Sequence, residues 1–289
     1  SEGRDSATIE AVAAAVRATP GVTLLNYSSD PHHHRSVLTF LGEPEAVLQA
    51  AQALTDVVLA RIDMQQHHGS HPRLGAVDVV PFVPVRGMDM AAAVELARRY
   101  GRYLGALGVP VYYYEEAATR PERVNLADIR KGEYESLPER LLDARWQPDE
   151  GPAQFNPRSG ATVTGARHPL IAFNVNLRTT DLEVAQRIAR AVRHISGGYR
   201  HVRAIGLALE DRGMVQVSMN LTNYARTPLP RVLETIRFEA ARHGVSIAGT
   251  EIIGSLPMAA LEEIVQHYLQ AHDFSIQQVI ESALIEAAG

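Results

Sequence analysis

The chain of 289 residues has a hydrophobic content of 46% and a formal net charge of −5, which suffices for one large domain or two smaller ones with filled cores. The negative charge and the scatter of the basic residues argue against nucleic acid as the main partner. No apolar run reaches the roughly 18 residues that a membrane span needs, and no segment resembles a signal peptide. We therefore expect a cytoplasmic protein without membrane contact.

The residue types that carry covalent catalysis are almost missing. Cysteine is absent, which excludes thiol nucleophiles, disulfides and cysteine-based zinc sites. Lys131 is the single lysine among 28 cationic residues, so an imine intermediate would depend on it alone. Arginine supplies the other cations, and its planar guanidinium is suited to gripping carboxylates.

Helical and strand patterns alternate along the first half of the chain. Apolar residues at helical spacing predict helices, and short apolar runs between turns predict strands. Residues 120–165 are rich in Pro, Gly and charge, which predicts an irregular excursion with one short helix at 137–143. The elements predicted before this region are helix 9–17, strands 22–26 and 36–41, helix 43–62, strand 77–83, helix 90–107 and strand 109–115.

The second half follows a β-α-β-β-α-β order, the pattern of a ferredoxin-like sheet. The first half shows the same order from helix 9–17 to strand 77–83 with its first strand absent, so we expect a strand upstream of Ser1 in the natural protein. The sequence thus predicts an α/β (α+β) fold of two ferredoxin-like βαββαβ-type subdomains. The elements predicted in the second half are strand 170–177, helix 181–195, strands 204–209 and 215–221, helix 231–243, strand 246–253 and helices 258–269 and 275–285.

Three histidines lie within residues 67–71, between a predicted helix and a predicted strand. A glycine and Pro72 break the helix, so the histidines lie on a shaped loop, where they can take and give protons near neutral pH. His71 is the best candidate for a fixed role because Pro72 follows it, while solvent exposure is the alternative reading. A zinc site is a further alternative, because His67 and His71 are four residues apart and residues 32–34 form a second histidine cluster, although the usual carboxylate between two helical histidines is missing.

Several long motifs in one fixed order give the chain a resemblance to a known family. They are S-E-G-R at 1–4, D-P-H-H-H-R at 30–35, H-x-x-x-H-P-R-x-G-A-x-D-V at 67–79, Y-x-Y-E-E-A-A at 112–118, R-x-G-E-Y-E at 130–135, and G-A-T-V-T-G-A-R with I-A-F-N-V-N-L at 160–177. The chain resembles, essentially from end to end, the folate-dependent glutamate formiminotransferases, including the formiminotransferase part of formiminotransferase-cyclodeaminase.

The resemblance implies transfer of a formimidoyl group between N-formimidoyl-L-glutamate and tetrahydrofolate, in histidine degradation and one-carbon metabolism. It implies a homodimer without a metal, tetrahydrofolate as co-substrate, and two subdomains whose mixed sheets face each other, with residues 1–176 in the first and 177–289 in the second. The family's strand ending in P-N-F supports the strand expected before Ser1. The family's folate-contacting segment matches Gly151, Pro152, Ala153, Gln154, Phe155, Asn156, Pro157, Arg158, Ser159 and Gly160. That segment lacks the Gly-Lys-Ser/Thr ending of a phosphate loop.

The family's catalytic histidine, the one in H-P-R, is His71 here. One histidine can remove a proton from the attacking amine and deliver one to the leaving amine. The family's D-x-D pattern is changed at 26–28, and Asp30 is the candidate that replaces its second aspartate. Asp30 or a backbone carbonyl is expected to fix the tautomer of His71.

Arg35 and Arg73 are candidates for the glutamate carboxylates or a polyglutamate tail. An ion pair with Asp63 or Asp78 is the alternative role of Arg73. Two rival functions remain open, a formyl rather than formimidoyl donor and a non-catalytic folate-binding protein. The second is suggested by the altered loop at 26–34, and the retained H-P-R argues against it.

Overall fold

The computed structural model describes residues 1–288, apart from the side chains of residues 283 and 286–288. The chain forms two compact units, Ser1–Arg167 and His168–Gly289. Both units combine helices with sheets, and parallel and antiparallel strand pairs both occur, which confirms the predicted α/β (α+β) class. Over the described residues, no helix is both long enough and apolar enough to cross a membrane.

The helices of the first unit begin where the sequence supplies a cap or a tolerated proline. The Asp5 carboxylate accepts a hydrogen bond from the Ala7 amide at the start of the first helix, and Pro44 occupies the first turn of the second. The helices are α1 Ser6–Arg17, α2 Pro44–Arg61, α3 Met90–Ala106, α4 Leu126–Arg130 and α5 Leu137–Arg140. The strands are β1 Val22–Asp30, β2 Arg35–Gly42, β3 Val79–Phe82, β4 Val111–Glu115 and β5 Thr162–Ala166.

The strands of the first unit form two sheets. β1 and β2 form an antiparallel hairpin, and β3, β5 and β4 pair in parallel in that order. Apolar side chains of α1 and α2 pack against β1, β2 and the start of β3. A βαββαβ sheet places its first strand between the third and the fourth, and within residues 1–288 no strand precedes α1, so β2 and β3 lack a common neighbour. The strand expected upstream of Ser1 stays a prediction.

The irregular region expected at 120–165 contains a central strand that the sequence analysis missed. Every residue of β5 is buried, and β5 lies between β3 and β4. A short strand that is buried on both faces has no alternation of polar and apolar residues, so it lacks the usual signal. The irregular region was predicted to extend to Gly165, and this prediction was wrong from Thr162 onward, where β5 begins.

The second unit confirms the ferredoxin-like order. Its strands form one antiparallel sheet in the order β7-β8-β6-β9, and α6 and α7 pack on the apolar face of that sheet. The helices are α6 Leu182–Val192, α7 Leu229–Arg242, α8 Met258–Leu269 and α9 Ile280–Ala288. The strands are β6 Ile171–Leu177, β7 Val202–Leu209, β8 Met214–Leu221 and β9 Ile247–Ile253.

The division between the units falls earlier than the boundary placed near Asn176. β6 contains Asn176 and pairs with both β8 and β9 of the second unit. A strand at the centre of a sheet belongs to the unit whose core it fills, and the first unit accordingly ends at Arg167.

Candidate active site

The histidine loop, residues 67–73, runs between α2 and β3 and lies against the turn that joins β1 to β2. The Ser70 amide donates to the His32 carbonyl at 3.2 Å. At Gly69 the loop and the β1–β2 turn are so close that an added Cβ would lie 2.5 Å from the His33 carbonyl oxygen. This close approach brings the histidines of both segments together.

His71 is held as a hydrogen-bond acceptor. Its Nε2 lies 2.7 Å from Nη1 of Arg35. An arginine can only donate, so Nε2 carries the lone pair and the neutral ring has its proton on Nδ1. The ring of His33 approaches His71 edge-on, with the ring centroids 6.0 Å apart. His71 is therefore a half-buried base in its unprotonated form.

The electrostatic surroundings keep His71 neutral. Burial lowers the pKa of His71 most, and the cations of Arg35 and Arg130 lower it further, while Asp78 acts in the opposite direction. Arg130 is itself paired with the Asp78 carboxylate, which also accepts from the Leu74 amide at 2.9 Å. The ring therefore stays unprotonated near neutral pH.

Arg35 differs from the other arginines around this loop. Within the part of the chain that the structure describes, it forms no ion pair, and its one side-chain hydrogen bond goes to His71. Its guanidinium therefore keeps an uncompensated charge beside the candidate base. This is the state of an arginine that is free to bind a carboxylate.

His67 has a structural role. Its Nε2 donates to the His34 carbonyl at 2.8 Å, and its Nδ1 accepts from Nε of Arg73 at 3.4 Å. Its ring stacks on that of His34 at 4.0 Å and is only 3% exposed. Burial lowers the pKa of His67 to about 4. Both ring nitrogens are used inside the protein, so this histidine stays neutral and orders the loop.

Arg73 is buried in a network of its own. Its Nη1 lies 3.0 Å from Glu133, and its two terminal nitrogens contact the two oxygens of Glu135 at 2.8 and 2.5 Å. The alternative prediction, an ion pair of Arg73 with Asp63 or Asp78, was wrong. Arg73 pairs with Glu133 and Glu135, which lie between α4 and α5. The structure places Arg73 on the wall of an open depression of about 370 Å³, with both acidic partners beside it.

Asp30 is directed at His33 and not at His71. Its carboxylate contacts Nδ1 of His33 at 2.9 Å and also accepts the amides of His32 and His33. The structure therefore does not bring Asp30 to the His71 ring that it was expected to orient. Any effect of Asp30 on His71 passes through the ring of His33.

The segment Gly151–Gly160 is anchored at its end and exposed at its start. The Ala76 amide donates to the Ser159 carbonyl at 2.8 Å, and the Tyr134 hydroxyl donates to the Pro157 carbonyl at 2.6 Å. Gly160 has a φ of 65° and packs so tightly that an added Cβ would lie 2.2 Å from the Leu74 carbonyl oxygen. The segment is thereby tied to the strand-like stretch just after the histidine loop. Six of its residues are exposed, namely Gly151, Pro152, Ala153, Gln154, Pro157 and Arg158.

Three side chains near His71 were not among the predicted site residues. They are His33, Asp78 and Arg130. Each lies inside one of the motifs that carry the family resemblance, at 30–35, 67–79 and 130–135. These residues could have been selected from the sequence, because each is a charged or titratable residue inside a family motif. Across the described residues, no group of three or more His, Asp and Glu side chains is arranged to hold a metal ion.

Comparisons with known proteins identify the family of the chain. A family model described as "Formiminotransferase domain, N-terminal subdomain" matches residues 1–167, and one described as "Formiminotransferase domain" matches residues 172–288. Glutamate formimidoyltransferase of Streptococcus pyogenes serotype M1 is 46% identical over 287 residues, covering 99% of this chain and 96% of the relative. The protein of the same name from Thermoplasma acidophilum is 43% identical over 291 residues, covering 100% and 96%.

A longer relative matches in part of its length. Formimidoyltransferase-cyclodeaminase of Rattus norvegicus is 44% identical over 275 residues, which cover 93% of this chain and 51% of the relative. These matches confirm the resemblance that the motifs indicated. The chain belongs to the formiminotransferase domain family.

Proposed function

We propose that this chain is an enzyme that transfers the formimidoyl group of N-formimidoyl-L-glutamate to N5 of tetrahydrofolate, in histidine degradation and one-carbon metabolism. Two relatives named glutamate formimidoyltransferase, each spanned over 96% of its length, support the reaction. The observation that carries the mechanism is the accepting Nε2 of His71, 2.7 Å from Arg35. Tetrahydrofolate is the co-substrate.

The proposed chemistry uses one proton carrier. The N5 amine attacks the formimidoyl carbon, a C–N bond forms, and Nε2 of His71 takes the proton that the amine loses. His71 then returns that proton to the glutamate nitrogen as its bond to the same carbon breaks. No covalent intermediate with the protein is needed, which fits a chain without cysteine. General acid-base catalysis of this kind contributes ~10²–10⁴-fold.

Arg35 is proposed to bind a glutamate carboxylate. It carries the uncompensated charge next to His71, whereas Arg73 already holds two carboxylates. A guanidinium without a partner gains a charge-assisted hydrogen bond from a ligand, while a paired one must first give up its own. The substrate role predicted for Arg73 is therefore weakly supported, and we propose that it shapes the loop.

The folate is proposed to contact Gly151–Gly160, as the resemblance implied. The exposed start of this segment leaves its backbone groups open to a ligand, and its anchored end joins the chain that follows His71. The catalytic role predicted for Asp30 is proposed in an indirect form, through His33. The homodimer, the cytoplasmic location, independence of metal and the absence of nucleic-acid and membrane partners stay predictions.

A donor comparison tests the proposed reaction. Purified protein is incubated with tetrahydrofolate and either N-formimidoyl-L-glutamate or N-formyl-L-glutamate, and the release of glutamate is measured. We expect turnover with the formimidoyl donor and much slower turnover with the formyl donor. Faster turnover of the formyl donor would replace the proposed substrate. Tight tetrahydrofolate binding without turnover of either donor would indicate a binding protein.

A further inference from the structure

We propose that Arg35 is a latch on His71, which opens when a substrate carboxylate binds its guanidinium. The latch is defined as the hydrogen bond between Arg35 Nη1 and His71 Nε2. This inference rests on the proposed function, since it assigns a regulatory step to the same site. Arg35 would act through His71, as a positioning residue as well as a carboxylate ligand.

The closed latch blocks the proposed base. A general base needs a free lone pair within hydrogen-bond distance of the proton that it removes. In this structure the Nε2 lone pair of His71 is occupied by Arg35 at 2.7 Å. An amine cannot transfer its proton to Nε2 until the guanidinium moves away.

A carboxylate is the ligand that would open the latch. Arg35 donates to a single nitrogen of a neutral ring, whereas a carboxylate offers an opposite charge and two oxygens that match the planar guanidinium. Within residues 1–288, no Asp or Glu side chain forms an ion pair with Arg35 and so satisfies its charge. A glutamate-type substrate brings the missing anion, and the guanidinium exchanges the imidazole for the carboxylate.

The other groups around His71 cannot replace the latch. Arg130 is held by Asp78, and His33 is held by Asp30, so each has a charged partner already. Arg35, Arg130, Asp78 and His33 are the groups whose charges act on the ring, and Asp30 contacts His33 behind it. The ion pairs hold Arg130 on Asp78 and His33 on Asp30, so the lone pair becomes free when Arg35 leaves Nε2.

Opening the latch also makes His71 a better base. The cation of Arg35 is, after burial, the largest cause that holds the pKa of His71 below its ordinary value. A carboxylate bound to Arg35 cancels that field, so the pKa of His71 rises when the substrate binds. The site thus gains basicity only when a donor with a carboxylate is present. Specificity for such donors would follow without further contacts.

The test follows the His71 ring by NMR during a pH titration of wild-type protein, with the signal assigned by its loss in His71→Gln. N-acetyl-L-glutamate serves as the carboxylate ligand, and its uncharged diamide serves as the control. We expect the midpoint of the His71 titration to shift upward with the dicarboxylate and to stay unchanged with the diamide. No shift with the dicarboxylate, or an equal shift with both compounds, would overturn the latch.

A variant separates the latch from a simple field effect of the ligand. In Arg35→Met, the His71 midpoint is expected to be higher without ligand than in wild type and to respond no further to N-acetyl-L-glutamate. A response as large as in wild type would contradict the latch. Turnover of N-formimidoyl-L-glutamate by wild type is measured in parallel. Turnover without the NMR response rejects the latch alone, and the NMR response without turnover rejects the proposed function alone.

Discussion

Two arginine–histidine pairs, each with its histidine on the histidine loop, have opposite surroundings. In the first pair, Arg73 donates to His67, two glutamates balance the arginine, and the second histidine nitrogen donates to a carbonyl. In the second pair, Arg35 donates to His71, and among the residues that the structure describes no carboxylate balances the arginine. The same two residue types thus form one network in which carboxylates balance the arginine and one contact in which no described carboxylate does.

The difference separates structure from chemistry in a cluster of similar residues. A buried histidine whose two ring nitrogens both form hydrogen bonds cannot take part in proton transfer without losing one of those bonds. An arginine that has no carboxylate partner and donates to a neutral histidine can exchange that hydrogen bond for one with an anionic ligand. We therefore assign the first pair to the loop scaffold and the second to the reaction.

The largest expected effect is on stability. Replacing Arg73 with Met removes a buried guanidinium from Glu133 and Glu135 and is expected to lower the free energy of unfolding by about 2 kcal/mol, less than for a fully buried ion pair because the two carboxylates are 39% and 58% exposed and screened by solvent. Arg35→Met is the matched control and is expected to cost less than about 1 kcal/mol, because it breaks no ion pair. Urea unfolding of both variants checks this, and equal losses would erase the distinction between the pairs.

For substrate binding, Arg35→Met is expected to have a larger effect than Arg73→Met. Arg35→Met should raise the KM for N-formimidoyl-L-glutamate by about 10- to 100-fold, since a hydrogen bond to a charged group contributes about 1.5–3 kcal/mol. The kcat should change less than the KM, because His71 itself is retained. Steady-state kinetics at saturating tetrahydrofolate measures both constants. An unchanged KM would remove Arg35 from the carboxylate site.

A third effect concerns pH and the scaffold histidine. The folded pKa of His67 is about 4, below its ordinary value of 6.5, so the unfolded chain binds the proton more readily. Its contribution to stability is complete above pH 6.5 and is lost as the pH falls toward 4, by about 1–2 kcal/mol between pH 7 and 5. His67→Gln keeps a donor and an acceptor but does not titrate. Its unfolding free energy should therefore depend less on pH than that of wild type, and parallel pH curves would contradict this.

The smallest effect is expected at Asp30. Its carboxylate contacts His33 and two amides on the exposed turn, and His71 is reached only through the His33 ring. Asp30→Asn keeps an oxygen acceptor for the turn, so turnover should fall by less than about fivefold, or ~1 kcal/mol. A loss as large as that of a catalytic group would restore the direct role that the sequence suggested.

Most elements of the fold could be predicted from periodicity, and the exceptions have physical causes. The predicted βαββαβ order of the second unit is confirmed because its strands are half-buried and its helices amphipathic. β5 was missed because it is buried on both faces. The boundary was placed inside β6 because a chain division depends on which sheet a strand joins, and that pairing is not visible in local sequence.

The site could be predicted in part. Pro72 and the motif order pointed to His71. The partners of Arg73 could not be found, because Glu133 and Glu135 lie 60 and 62 residues away along the chain. Long-range pairing of this kind depends on the packing of α4 and α5 beside the loop. The contact between Arg35 and His71, 36 residues apart, was hidden for the same reason.

The most direct test of the account is the turnover of His71→Ala with N-formimidoyl-L-glutamate and tetrahydrofolate, measured together with its free energy of unfolding and its tetrahydrofolate affinity. We expect turnover to fall by ~10²–10⁴-fold, the range of general acid-base catalysis, with stability and tetrahydrofolate affinity close to those of wild type. Turnover near the wild-type rate in a folded variant would contradict the assignment of His71 as the proton carrier.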